Sequence, residues 1–125
     1  MKILESAENY LETILVLKNK NPNVRSIDVA NELGFTKPSV SIAMKQLREN
    51  GYITVSEDGS LNLTEKGKSV AERVYERHNI IAKALMALGV DEETAYSDSC
   101  KIEHHISDTS VRKIKEYFIS KNIKI

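Results

Sequence analysis

The stretch from Ser26 to Thr64 constrains this chain most: two short helical patterns meet at a glycine, and an Asp-Gly hairpin follows them directly. Ser26 stands where it can N-cap a helix over Ile27–Leu33. Gly34 then stops that helix, because glycine takes the left-handed C-terminal conformation without steric cost. Thr36 is a second N-cap. Pro38 falls in the next first turn, where no N–H is missed, and Val40, Met44 and Leu47 mark the buried side of a helix ending at Gly51. Tyr52-Ile53-Thr54-Val55 and Leu61-Asn62-Leu63-Thr64 alternate apolar and polar residues, and Ser56-Glu57-Asp58-Gly59-Ser60 joins them with turn chemistry. Helix, turn, helix and two-stranded wing is the order of a winged helix-turn-helix.

Helices flank this motif. Ile3, Ala7, Tyr10 or Leu11, Ile14 and Leu17 recur at helical spacing, so the first helix is expected from Ile3 to Lys18, with Glu5, Glu8, Asn9 and Glu12 on its solvated face. Asn19-Lys20-Asn21-Pro22-Asn23 ends it. Thr64 caps a long fourth helix with a stripe of Val70, Val74, His78, Ile81, Leu85 and Leu88, closed by Gly89. Asp91 opens a fifth that runs to about His105, and Thr109 a sixth that runs to about Ser120. The expected fold class is mostly α with a small β-wing. Its two parts are a winged helix-turn-helix over 1–70 and a helical dimerisation domain over 71–125.

Eighteen basic residues balance eighteen acidic ones, which argues against a wholly basic nucleic-acid binder. Charge is distributed unevenly, however. From Thr36 to Arg48 there are Lys37, Lys45 and Arg48 and no acidic residue. In a winged helix this third helix enters the DNA major groove, and its outward residues Thr36, Lys37, Pro38, Ser39, Ser41, Lys45 and Gln46 combine short donors with long cations. Double-stranded DNA is the partner this predicts. Lys66 and Lys68 are further phosphate candidates, or solvated charges. The longest apolar run, Ile80 to Leu88, is broken by Lys83, and the acidic start does not resemble a signal peptide, so a cytoplasmic protein without a membrane partner is expected.

Cys100 is the single cysteine and has no internal disulfide partner. With Glu103 and His104 it stands at i, i+3 and i+4, so on a helix all three side chains fall within an arc of about 100°. Thiolate, carboxylate and imidazole form a borderline-soft donor set for a divalent transition metal, to which Glu12 and His78 can add ligands from other helices. Each residue also has a plain reading. Cys100 can be a small buried hydrophobe, Glu12 part of a solvated face and His78 a hydrogen-bonded core histidine.

Glu8-Asn9-Tyr10-Leu11-Glu12, Leu63-Thr64-Glu65-Lys66-Gly67-Lys68, Arg77-His78, Gly89-Val90-Asp91-Glu92-Glu93 and Ile102-Glu103-His104-His105, together with the helix-turn-helix, span nearly the whole chain. In these residues the chain resembles the diphtheria-toxin-repressor family of metal-dependent regulators, in particular its short manganese-transport-regulator type. The resemblance implies a homodimer that represses metal-uptake genes when metal is abundant, with ligands at Asn9, Glu12, His78, Cys100, Glu103 and His104. Asn9 stands where manganese-type members carry aspartate, and Cys100 where they carry glutamate. Both changes replace hard anionic oxygen and favour iron(II) or zinc(II) over manganese(II). Ala82 and Tyr96 occupy positions that build a second, ancillary metal site in iron-type members.

The function expected is thus a metal-dependent transcriptional repressor and not an enzyme. A winged-helix regulator indifferent to metal, with Asn9 as its best support, is the main alternative. A zinc hydrolase built on His78, Glu103 and His104 lacks an accompanying nucleophile motif. A winged helix that binds only protein would show no affinity for DNA at any salt or metal level.

Overall fold

The structure, a computed structural model, describes residues 5–123. The expected helix start at Ile3 lies outside the described residues. In order, the elements are α1 (Glu5–Lys20), α2 (Ser26–Leu33), α3 (Lys37–Glu49), β1 (Ile53–Val55), β2 (Leu61–Leu63), α4 (Glu65–Ala87), α5 (Glu92–Ile102) and α6 (Asp108–Ser120). The chain divides into two compact units between Glu72 and Arg73, and α4 runs through the division.

In the first unit, Leu11 and Ile14 of α1, Val29 and Ala30 of α2, Val40, Met44 and Leu47 of α3, and Ile53 and Leu61 of the wing form one buried cluster. Hydrophobic burial at these positions is what fixes the three helices against the hairpin. Ser26, the expected cap of α2, is instead its first residue. Arg25 occupies the cap position, and its N–H donates to the Asp28 carboxylate at 2.9 Å. Thr36 does cap α3: its hydroxyl oxygen accepts the Ser39 N–H at 3.4 Å and its own O–H donates to the Ser39 hydroxyl at 2.8 Å.

β1 and β2 pair antiparallel, with Ile53 opposite Leu63 and Val55 opposite Leu61. Gly59 closes the connecting turn at φ +87°, its N–H donating to the Ser56 carbonyl at 2.9 Å. The Ser60 backbone N–H donates to the Asp58 carboxylate, and this bond first, then the Ser60 side chain, holds the Asp58 carboxyl below its ordinary range. Lys18 of α1 anchors the wing, its ammonium donating to the Leu61 carbonyl at 2.8 Å and to Asn62 Oδ1 at 2.9 Å. The other end of the hairpin is locked to α4. Thr64 Oγ1 accepts the Gly67 N–H at 3.1 Å, and the Thr64 hydroxyl lies 2.7 Å from the Gly51 carbonyl and 3.0 Å from that of Tyr52.

In the second unit Val74, Ile80, Ile81 and Ala84 of α4 are buried, as are Ala95 and Ser99 of α5 and Val111 and Phe118 of α6. Arg77 of α4 donates to Asp108 at the start of α6 at 3.0 Å, and Lys115 of α6 reaches Glu76 of α4 at 3.1 Å. Two expectations change here. Leu88, placed on the buried stripe, lies beyond the end of α4 and is 73% exposed. The fifth helix stops at Ile102 and not near His105; Glu103 is its C-cap, and His104 and His105 continue as a turn. Asp91 caps the start of α5 by accepting the Thr94 N–H at 3.0 Å.

Candidate metal centre and nucleic-acid interface

His78 projects from the middle of α4, Cys100 from the last turn of α5, and Glu103 and His104 from the turn after it. The polypeptide between α4 and α5 is short enough for Gly89, at φ +104°, to reverse the chain, which returns α5 alongside α4. Ser99 fixes the alignment: its fully buried hydroxyl donates to the His78 carbonyl at 2.6 Å. Tyr96, one turn earlier on α5, holds its ring 5.4 Å from the His78 ring.

His78, Cys100 and Glu103 converge. His78 Nδ1 lies 2.7 Å from Glu103 Oε2 and 3.8 Å from Cys100 Sγ, and one ligand atom from each of the three residues lies within 4.8 Å of the others. His104 joins on the far side of the carboxylate, its Nε2 3.3 Å from Glu103 Oε1. The side chain of Glu103 is 1% exposed and that of His104 is 3% exposed. A carboxylate removed this far from water is costly unless cationic or strongly donating partners surround it. Bonds of about 2.0–2.3 Å from a common centre separate tetrahedral ligands by roughly 3.3–3.8 Å; the 3.8 Å imidazole–thiol separation meets this, and the 2.7 Å imidazole–carboxylate hydrogen bond would open by under about 1 Å to admit one metal ion. The residues therefore fit a divalent transition metal.

Cys100 is exposed, which removes its reading as a buried hydrophobe. Glu12, by contrast, is not on a solvated face. It is 9% exposed, inside a buried run from Leu11 to Ile14 of α1. Asn9 lies one turn earlier and is half-buried, with its carbonyl accepting from the Thr13 hydroxyl at 2.8 Å. Both belong to the first unit, while the converging cluster belongs to the second. His105 is exposed.

On α3, Thr36, Lys37, Pro38, Ser39, Ser41, Lys45 and Gln46 are all exposed. Thr36 and Ser39 already serve the cap. Lys45 makes only a loose 4.0 Å pair with Glu49, in which both side chains stay more than half exposed, so its charge is available to phosphate. Lys66 is seated within the first unit, its ammonium donating to the Asn50 carbonyl at 3.1 Å and lying 4.2 Å from the centre of the Tyr52 ring. Lys68 pairs with Glu72 at 3.7 Å. The exposed large apolar residue of α3 escaped the sequence reading: Ile42 is 62% exposed. The signal was present, because Ile42 stands 200° around the helix from Val40 and so faces away from the buried stripe.

Residues 2–61 match the iron dependent repressor N-terminal DNA binding domain, and residues 64–119 match the iron dependent repressor metal binding and dimerisation domain. The chain belongs to the iron dependent repressor family. This repressor is similar to the HTH-type transcriptional regulator MntR of Lysinibacillus sphaericus (strain C3-41), with 33% identity over 89% of this chain and 80% of the relative. It is also similar to MntR of Bacillus subtilis (strain 168), with 35% identity over 87% of this chain and 77% of the relative. In fold it resembles the manganese regulator SloR, with a TM-score of 0.80 and 24% identity over 90% of this chain. The repressor spans 53% of SloR, about half its length. Family, fold and donor set together make it a metal-responsive transcriptional repressor that binds a divalent metal.

Proposed function

We propose that this chain represses transcription as a homodimer that grips double-stranded operator DNA when a divalent transition metal is held by His78, Cys100, Glu103 and His104. The observation that carries this reading is the nearly inaccessible Glu103 carboxylate, set between two imidazoles and beside a thiol. Asn9 and Glu12 stay in the proposed ligand set on the strength of the resemblance, and the burial of Glu12 supports a role other than solvation. The domain assignment follows: 1–70 reads DNA through Lys37, Pro38, Ser39, Ser41, Lys45 and Gln46, with Thr36 capping the reading helix, and 71–125 binds metal and dimerises.

Bound metal would supply a positive charge that offsets Glu103 and draws the ligands of α4 and α5 together. The chain's own part is to carry that order along α4. The first turn of this helix is locked to the wing through Thr64, and its middle carries His78, so a stiffer α4 limits the conformations open to the recognition helices. In a dimer those helices must lie about 34–36 Å apart to enter successive major grooves. An ion held by these ligands would favour the population with that spacing, the role of a corepressor.

The thiol of Cys100 makes iron(II) the expected effector, with manganese(II), the metal named for the relatives, and zinc(II) as competitors. The targets this implies are metal-uptake genes, and the site of action is the cytoplasm. Among the described residues no helix is long and apolar enough to cross a membrane. Fluorescence anisotropy of labelled operator with metal-stripped protein, titrated separately with the three ions, tests the proposal. Metal-dependent binding that His104→Ala abolishes is expected, and binding that ignores every metal overturns it.

A further inference from the structure

Ile42 is the most exposed large apolar side chain of the first unit among the described residues. It sits in the middle of α3, with Ser39 and Lys45 three residues to either side and Gln46 one turn on, all exposed. Lys37 and Arg48 are exposed near the two ends of the same helix, and no acidic residue occurs between Thr36 and Arg48. Phe35, the next most exposed, has a ring partner in Tyr10 at 6.1 Å, and Val55 belongs to the wing strand. Ile42 serves neither the core nor a cap.

A β-branched side chain also lowers helix propensity at an exposed helical position, so nothing local favours isoleucine there. The domain that contains it is a DNA binding domain, and the cationic surroundings exclude most apolar protein partners while suiting a polyanion. Within the major groove the one apolar group at a base edge is the C5-methyl of thymine. We propose that Ile42 is a specificity-determining residue, packing on a thymine C5-methyl in each operator half-site and selecting thymine there over cytosine or a base without the methyl. This rests on the DNA-binding reading above, and the test separates the two.

A duplex is first selected from a random library by the metal-loaded full chain, and each thymine is then replaced singly by deoxyuridine, which removes the methyl and leaves base pairing intact. At one symmetric pair of positions the wild type is expected to lose about fourfold in affinity per half-site, the value for one buried methyl-sized group. Ile42→Ala should bind thymine and deoxyuridine duplexes equally, while Ile42→Leu should keep part of the discrimination. Because Ile42 is exposed and alanine is the better helix former, the alanine variant is expected to unfold at the same or a slightly higher denaturant concentration than the wild type. The proposal fails if no deoxyuridine position weakens the wild type, if Ile42→Ala keeps the full penalty, or if Ile42→Ala changes the oligomer's mass without DNA, which would make this a protein contact. Selection of no duplex at all would overturn the DNA-binding reading itself, and this inference with it.

Discussion

Gly67→Ala is expected to cost this repressor about 3 kcal/mol, for a steric reason that can be separated from glycine's conformational freedom. A Cβ at Gly67 would lie 2.0 Å from the Tyr52 carbonyl oxygen and 3.0 Å from its carbon. Reaching even the tightest real contact requires a displacement of about 1 Å between two backbones. Tyr52 cannot yield freely: it is 5% exposed, and its carbonyl accepts the Thr64 N–H at 3.1 Å and lies 3.0 Å from the Thr64 hydroxyl. Overpacking of this severity costs about 3 kcal/mol, and losing the Thr64 cap about 1 more. The better helix propensity of alanine returns about 1. With a urea slope of about 1.5 kcal/mol/M, the midpoint of the first unit should fall by about 2 M. Gly51 is the control. It has φ +79° and open space within 4 Å of where a Cβ would stand, so Gly51→Ala should cost only about 1 kcal/mol and Gly51→Asn less. Equal midpoints for Gly67→Ala and Gly51→Ala would refute the steric argument, and with it the idea that α4 is rigidly locked to the wing.

Three other outcomes are expected. Glu103→Gln keeps the shape of the buried side chain and removes its charge; with metal at about 100-fold over the wild-type dissociation constant, metal should stabilise the wild type by about 2.7 kcal/mol and a hundredfold weaker variant by only about 0.4. Equal metal-induced thermal shifts would place the ion elsewhere. Cys100→Asp, at an exposed position, should move the preference toward manganese(II) in competitive metal titrations, and an unchanged ranking would remove the thiol from the ligand set. The Thr94 backbone N–H holds the Asp91 carboxyl below its ordinary range, so its contribution to stability is fully present above the unfolded carboxyl's pKa of about 3.9 and is lost as pH falls through the lower folded value. Thermal melts of Asp91→Ala should therefore fall below the wild type at pH 7 and converge with it under strongly acid conditions; a gap that persists there would mean the cap acts through something other than the charge.

Local signals were legible in the sequence, because each needs only its neighbours. Thr36, Thr64 and Asp91 cap helices as their positions imply, and the Val40, Met44 and Leu47 stripe is buried. Features set by distant partners were not. Periodicity put Leu88 on a buried stripe, yet the helix ends one residue before it; spacing put Glu12 on a solvated face, yet packing buries it. The i, i+3, i+4 pattern of Cys100, Glu103 and His104 says that they share a side, but the arrival of His78 from 25 residues earlier depends on how α5 packs on α4. Ser99, fully buried and bonded to the His78 carbonyl, sets that packing and carries no motif.

The proposed metal and DNA contacts share a physical signature that no single helix would display. Glu103 is an acidic residue with a 1% exposed side chain, and Ile42 is an apolar residue that is 62% exposed on an otherwise polar helix face. Folding alone favours neither, since burying a carboxylate and exposing a branched hydrocarbon both raise the free energy of the isolated chain. The His78 and His104 rings, 2.7 and 3.3 Å from the Glu103 oxygens, offset part of the first cost, and a cation there, like a thymine methyl against the isoleucine, would offset more. A residue that opposes its local rule is the kind expected where binding supplies part of the energy. A metal ion or an operator duplex that binds only the folded chain would each stabilise it by mass action.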